Sequence, residues 1–400
     1  MRLLYFSPVA ADSYAQRPHF MVRAWLDWGV ESVLWVNPYP CRLPRLSDLR
    51  RTPTAAGQSS PGDPRVETLN VPALPIEPLP LGPRLNRQIG RAAWQKIERF
   101  AAAGDTIIGV GRPSALAVAA LNELPRLGSF YDAMDNFPEF HTGLSRKAMI
   151  GNEWAVAERV DLITASSTFL ADKFARRCPR VEKLLNACEP IEGESLGWEG
   201  RGTIWKSPAG GLGKTADGKY ATPRHRIPEP PTLGYIGCIG RWFDWPLVIW
   251  LARAMPETRF DLVGPCAVKP PERLPRNVRL SPACKHSESI GRMSRFSAGL
   301  IPFEVNALTA GVDPIKYYEY RAAGLPVLST SFGEMALRGL SDGVYFIDQD
   351  YPAERIRAAV ERRFEPAETL EFREENNWRR RFQGSALLSL LCASRRKQAA

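Results

Sequence analysis

Lys316 and Glu319 carry the residue types and the spacing most suited to chemistry in this sequence. They lie in the run Val312-Asp313-Pro314-Ile315-Lys316-Tyr317-Tyr318-Glu319-Tyr320-Arg321-Ala322-Ala323-Gly324-Leu325-Pro326-Val327. On a helix, residues three apart share one side. An ammonium near a helix start, beside N–H groups with no helical partner, suits a phosphate. A carboxylate one turn further on can accept hydrogen bonds from two ribose hydroxyls. Together they would hold a nucleotide along the helix. The same spacing also serves a solvated ion pair on an ordinary surface helix, and the stretch alone does not decide between them.

The elements that must position this pair are legible around it. Asp313 is placed to cap the helix, with Pro314 in the first turn where a missing N–H costs nothing. Gly324 supplies a left-handed stop, and Pro326 prevents the helix from resuming. Ile315, Tyr318 and Ala322 follow the helical period and predict a core-facing side. Residues 326–330 then read as a buried strand.

Strands and helices alternate twice along the chain. The first series opens with a strand at Leu3–Phe6, a helix at Gln16–Trp28 and a strand at Ser32–Val36. This spacing predicts a parallel sheet. The series continues through a helix over 87–103, strands at Thr106–Val110 and Ser129–Tyr131, a helix over 144–159, a strand at Asp161–Ala165 and a helix capped by Ser166 or Ser167. The second series begins at Leu233–Cys238, followed by a helix from Asp244. Residues 189–231 lack periodicity and read as a linker. Within them, Gly211-Leu212-Gly213-Lys214-Thr215 imitates the end of a phosphate-binding loop, but its first glycine would fall at Pro208 and no strand precedes it.

Several stretches, in this order, resemble the bacterial GT-B glycosyltransferases, most of all the family-4-type enzymes of exopolysaccharide and teichuronic acid clusters. They are Gln16-Arg17-Pro18-His19-Phe20, Tyr131-Asp132-Ala133-Met134-Asp135-Asn136-Phe137, Leu233-Gly234-Tyr235-Ile236-Gly237-Cys238-Ile239-Gly240 and the Asp313–Val327 run. The resemblance implies an α/β chain with two Rossmann-like domains facing across a cleft and a last helix crossing back to the first domain. The expected divisions are 1–188 with 376–394 for the acceptor domain, 189–231 for the linker and 232–375 for the donor domain.

The resemblance also implies site roles. Glu319 would accept the donor ribose and Lys316 would meet the diphosphate. Gly237 and Arg241, after the second domain's first strand, would approach phosphate as well. The family's first glutamate would stand at Gly311, so it is absent. Asp313, Asn306, Thr309 or loop N–H groups are the candidates to contact the donor sugar instead. Asp132 and Asp135, at the carboxyl end of a first-domain strand, could orient an acceptor hydroxyl or take its proton. His19 is a further candidate in that domain.

The implied reaction is transfer of a sugar from a nucleotide-sugar donor to a glycan or a polyprenyl-pyrophosphate-linked acceptor, with retention of configuration. No cofactor is expected, the nucleotide sugar being a substrate, and no metal. Asp348-Gln349-Asp350 resembles a metal motif but lies beside a helix start, where capping is its expected work. A nucleotide-sugar 2-epimerase and a non-catalytic subunit supporting a partner transferase are the alternatives.

Composition sets outer bounds. The 400 residues suffice for two domains. A net charge of +10 favours anionic partners, among them an anionic membrane surface in peripheral contact. Arg42, Arg45, Arg50 and Arg51, interleaved with leucines, could touch it or form a solvated loop with a short amphipathic turn. Nucleic acid fits the charge alone, without the aromatic-basic pattern of such binders. Seven scattered cysteines without a C-x-x-C pair suit a reducing cytoplasm. The initial apolar run is too short for a signal peptide, so the expected location is the cytoplasm, with any membrane contact at its inner face.

Overall fold

Leu3, Leu4, Tyr5 and Phe6 are all buried in strand β1 (Arg2–Phe6). A strand apolar on both faces needs cover on both faces, the usual condition of parallel sheets. The computed structural model describes residues 1–13, 15–44, 63–189, 230–284, 286–348, 350 and 352–399. Among them the chain forms two compact units, one holding 1–185 and 381–399, the other 186–189 and 230–380. The imitation phosphate loop at 211–215, Arg45, Arg50, Arg51 and Gln349 lie outside the described residues.

The first unit has a seven-stranded sheet in the order β3-β2-β1-β4-β5-β6-β7. Its further strands are β2 (Ser32–Val36), β3 (Val66–Leu69), β4 (Thr106–Val110), β5 (Gly128–Ala133), β6 (Leu162–Ala165) and β7 (Val181–Lys183). All pairings are parallel. Leu4 and Phe6 pack into one cluster with Leu34, Val36, Ile108 and Tyr131. On the opposite face Tyr5, Trp25, Trp35 and Phe130 pack ring against ring, Trp25 stacking on Phe130 at 5.2 Å between centroids.

The second unit has a six-stranded sheet in the order β10-β9-β8-β11-β12-β13. Its strands are β8 (Thr232–Ile236), β9 (Arg259–Val263), β10 (Val278–Ser281), β11 (Ala298–Ile301), β12 (Val327–Ser329) and β13 (Val344–Phe346). In each sheet the first strand lies between the second and the fourth. That is the doubly wound order, which places a ligand-binding crevice at the carboxyl ends where the winding reverses.

Several local expectations are revised. The single helix over 87–103 is two, Gly82–Ile89 and Arg91–Ala102. The C-terminal run is also broken, into Trp378–Gln383 and Ala386–Ala399, with an unexpected helix at Pro366–Glu375 before it. Residues 186–188 run with the second unit, because Asn186 N–H donates to the Asp313 carboxylate (2.7 Å) and Cys188 N–H to Asn376 O (2.9 Å). Ser167, one of two candidates, caps its helix by accepting from Leu170 N–H.

Candidate nucleotide-binding site

Glycine at position 299 of β11 leaves room for the Tyr320 ring, since a Cβ there would lie 2.2 Å from Tyr320 Cδ2. The helix Ile315–Ala322 therefore packs close to the sheet. Tyr320 Oη accepts a hydrogen bond from Ile236 N–H (3.1 Å), at the carboxyl end of β8. This bond pins the helix over the reversal point of the second sheet. One turn earlier, Lys316 reaches the residue just beyond β8, Gly237. Gly237 has φ +149°, and a Cβ on it would lie 2.6 Å from Lys316 Nζ. Only glycine admits both that backbone conformation and that neighbour.

Lys316 is half-buried, its ammonium 5.4 Å from the centre of the Tyr235 ring. Desolvation lowers its pKa, partly opposed by the Glu319 carboxylate and by the Cys238 thiol group. Among the described residues, neither the Lys316 ammonium nor the Glu319 carboxylate has a hydrogen bond or a contact ion pair. A partly desolvated cation and a half-buried carboxylate thus lie one helical turn apart, neither hydrogen-bonded nor ion-paired among the described residues. Both charges would gain from an incoming anion and incoming hydroxyls.

The loops after β8 and β11 are stitched together beside this pair. Asp244 N–H donates to Pro302 O (2.8 Å), Glu304 N–H donates to Trp242 O (2.7 Å), and Phe243 bridges Phe303. Trp242, Phe243, Phe303 and Tyr235 form edge-on ring contacts around the join. Asp244 also caps the helix Trp245–Ala254, accepting from Leu247 N–H at 2.9 Å. Arg241 is exposed in the first of these loops, without a bond to the Lys316 pair.

Other expected donor contacts are committed to the fold. Asp313 does not cap the helix: Pro314 occupies the cap position, and the Asp313 side chain is fully buried. Its carboxylate accepts from Asn186 N–H, Tyr318 Oη (3.0 Å) and Arg338 Nη2 (2.8 Å). Burial raises its pKa against the pull of Arg338. A carboxylate so enclosed is an anchor and not a sugar contact. Thr309 is 0% exposed, and its hydroxyl donates to Glu304 O inside the loop, so it is withdrawn too. Asn306 is exposed, yet its side-chain oxygen accepts from Leu308 and Thr309 N–H while its amide donates to Glu304. It closes its own turn.

In the first unit the three candidates separate. Asp132 lies within β5, paired in register with Thr164, and not beyond the strand's end. It is 0% exposed and receives Arg17 Nη2 at 2.7 Å, Arg17 Nε at 2.9 Å and Thr164 Oγ1 at 2.8 Å. Sequence reasoning passed over Arg17. Its signal was a cation in the first turn of a helix, where the dipole disfavours it, so its charge had to be met elsewhere. His19 closes a capping box: Nδ1 accepts from Gln16 N–H (3.2 Å), and Nε2 lies 3.3 Å from Ala11 O. With one ring nitrogen accepting and the other donating, the ring is neutral, and burial lowers its pKa accordingly. It is spoken for by backbone and is not a free base.

Asp135 remains half-buried just past β5, its pKa pushed up to about 7 by desolvation and then by Asp132, against Arg17. Such a carboxyl takes up its proton more readily folded than unfolded. Its contribution to stability is therefore complete below the ordinary carboxylate range and lost as pH rises through about 7. Glu77, also raised to about 7 by burial, acts in the same direction. The urea midpoint should fall between about pH 5 and about pH 8, and less steeply in Asp135→Asn. Parallel pH profiles for the two proteins would refute this account of Asp135.

Comparisons with known proteins bear on the fold. Over 100% of this chain and 98% of the other, it superposes on Anabaena HepE in complex with UDP and glucose, with a TM-score of 0.53 and 13% identity. AviGT4, a glycosyltransferase involved in avilamycin A biosynthesis, gives 0.53 at 14% identity, over 100% of this chain and 98% of that one. OtsA gives 0.57 at 13%, over 97% of this chain and 99% of that one. The chain has the GT-B fold. With that fold, the unit holding Lys316 and Glu319 is the second of two Rossmann-like domains. In sequence, the chain is 25% identical over 222 residues to TuaH of Bacillus subtilis strain 168, provisionally named as a teichuronic acid biosynthesis glycosyltransferase. That match covers 53% of this chain and about half, 51%, of the relative. No family model matches.

Proposed function

We propose that this GT-B chain is a glycosyltransferase whose second unit holds a nucleotide-sugar donor. The observation that carries the reading is Lys316 and Glu319, one turn apart at the reversal point of the β8/β11 sheet and without a hydrogen bond or contact ion pair among the described residues. Glu319 accepts the ribose hydroxyls. Lys316, with the unpaired N–H groups of its helix start, meets the diphosphate. As the glycosidic bond to the leaving diphosphate breaks, negative charge grows on the phosphate oxygens. A preorganised ammonium in a partly desolvated setting stabilises that charge more than the ground state. Arg241, exposed in the neighbouring loop, is a second cation for the same charge.

The acceptor is a glycan or a polyprenyl-pyrophosphate-linked sugar of cell-surface polysaccharide synthesis, met at the cytoplasmic face of the membrane. Transfer retains configuration and needs neither metal nor cofactor. Asp135, with a pKa near neutrality, is the remaining first-unit candidate to take the acceptor proton.

Two measurements test this. Thermal melting with UDP, GDP and ADP in turn should show stabilisation by one of them. Nucleotide release from the matching sugar donor, with membrane extract as acceptor, should then follow. Absence of any thermal shift overturns donor binding. A shift without release favours the second reading, a non-catalytic GT-B subunit, for which the glycine at position 311 in place of the first glutamate speaks.

A further inference from the structure

Large apolar side chains are exposed together on one short stretch of the first unit. Leu74, Leu79, Leu81, Leu85 and Ile89 are each 40% exposed or more. The helix Gly82–Ile89 is turned inside out. Its buried positions are Gly82 and Asn86, whereas Leu81, Leu85 and Ile89, spaced by four, form a stripe on the outside. A water-facing helix of a soluble domain normally shows the reverse.

The stripe is held in place. Asn86, 1% exposed, accepts from Leu74 N–H (2.8 Å) and donates to Leu74 O (2.9 Å), which fastens the preceding loop to the helix. Glu77 in that loop is tied to Asn152 at 2.7 Å. The exposure therefore belongs to a built surface and not to a frayed end. Contiguous apolar surface of this kind marks an interaction site.

Charge indicates what covers it. No acidic residue occurs from Pro78 to Ile97, while Arg84, Arg87, Arg91 and Lys96 do. Arg87 is engaged with Glu123 (2.7 Å) and lies over the Trp94 ring, and Lys96 pairs with Glu67 (2.6 Å). Arg84 and Arg91 are exposed and, among the described residues, without an ionic partner. An apolar stripe flanked by free guanidinium groups matches a surface that is greasy below and anionic above. Among the described residues no helix is long and apolar enough to cross a membrane, so such contact would lie in the plane of the surface.

We propose that the helix Gly82–Ile89 with the loop before it docks the first unit on an anionic lipid bilayer. Leu81, Leu85 and Ile89 enter the acyl boundary, and Arg84 and Arg91 meet lipid phosphates. This gives a place to the peripheral membrane contact of the function proposed above. It is tested without donor or acceptor, so its failure leaves nucleotide binding untouched.

The test is co-sedimentation of the full chain with vesicles of mixed phosphatidylglycerol and phosphatidylcholine, and with vesicles of phosphatidylcholine alone. Binding to the anionic vesicles is expected, weakened by added salt and by omission of phosphatidylglycerol. The triple variant L81S/L85S/I89S should bind at least about tenfold more weakly. Arg84→Gln with Arg91→Gln should also weaken binding, and leave a residue that salt no longer screens. All replaced side chains are exposed, and an unchanged urea midpoint confirms that each variant folds. The proposal fails if the wild-type chain stays in solution with anionic vesicles, or if the triple variant binds as well as the wild type. It also fails if the stripe variant merely converts a dimer to a monomer with vesicle binding unchanged, which would make a second copy the occupant.

Discussion

Asp132→Ala should destabilise the first unit by about 3–5 kcal/mol, the usual consequence of removing one partner of a buried ion pair. Arg17 and Asp132 are both 0% exposed. The carboxylate takes guanidinium N–H groups on both oxygens and the Thr164 hydroxyl besides. Arg17 also donates to the carbonyls of Leu184 (2.8 Å) and Leu185 (3.3 Å), beyond β7. With the carboxylate gone, the guanidinium keeps those two carbonyls but stays buried without the carboxylate that met its Nε and Nη2. Loss of the bidentate partner in a buried setting sets the size of the effect, because the pair's own attraction is largely offset by the desolvation of both ions. Replacing both residues with apolar ones of similar volume, Arg17→Met with Asp132→Leu, should therefore restore much of what Asp132→Ala loses. Urea unfolding of the three variants is the measurement. A single variant within about 1 kcal/mol of wild type would refute the structural role. It would also reopen a catalytic one, in which activity falls while stability does not.

The second large effect is expected on ligand binding. Glu319→Ala should weaken nucleotide binding about tenfold to a hundredfold, as for loss of hydrogen bonds to a charged group, about 1.5–3 kcal/mol. Glu319 has no bonds of its own to lose among the described residues, so its removal should leave the unfolding midpoint near that of wild type. Lys316→Ala should cost a similar factor. In that variant the salt dependence of binding should flatten too, since the ammonium is the charge that meets phosphate. Isothermal titration with the nucleotide identified by thermal melting reads both. Unaltered affinity in Glu319→Ala would end the ribose assignment. Unaltered salt dependence in Lys316→Ala would end the phosphate assignment while leaving the carboxylate's role standing.

Local signals served well where the fold depended on them. Alternating apolar strands and helices, with Ser167, Asp244 and Gly324 as punctuation, placed β1, β2, β4, β5, β6, β8 and β12 to within a few residues. They failed where local and distant partners compete for one side chain. Asp313-Pro314 has the form of a helix cap, yet Arg338, Tyr318 and Asn186 draw the carboxylate inward, and Pro314 takes its place. Thr309 and Asn306 looked available because nothing in a sequence reveals that a loop will spend its polar groups on itself. The expectation that Asp132 and Asp135 both stand at the carboxyl end of a strand failed for Asp132: β5 runs on to Ala133 and carries Asp132 into the interior.

By itself, the order of residues determined the period-two and period-3.6 patterns. From these followed two parallel α/β units and the helix that sets Lys316 and Glu319 on one side. Those features rest on interactions within a few residues, so they are written locally. Tertiary structure alone decided which charges stay free. Asp313 and Asp132 found partners 25 and 115 residues away in Arg338 and Arg17, while Lys316 and Glu319 have no hydrogen bond or contact ion pair among the described residues. A buried charge must be compensated by whatever the fold brings near it, and that neighbour is fixed only when distant segments pack.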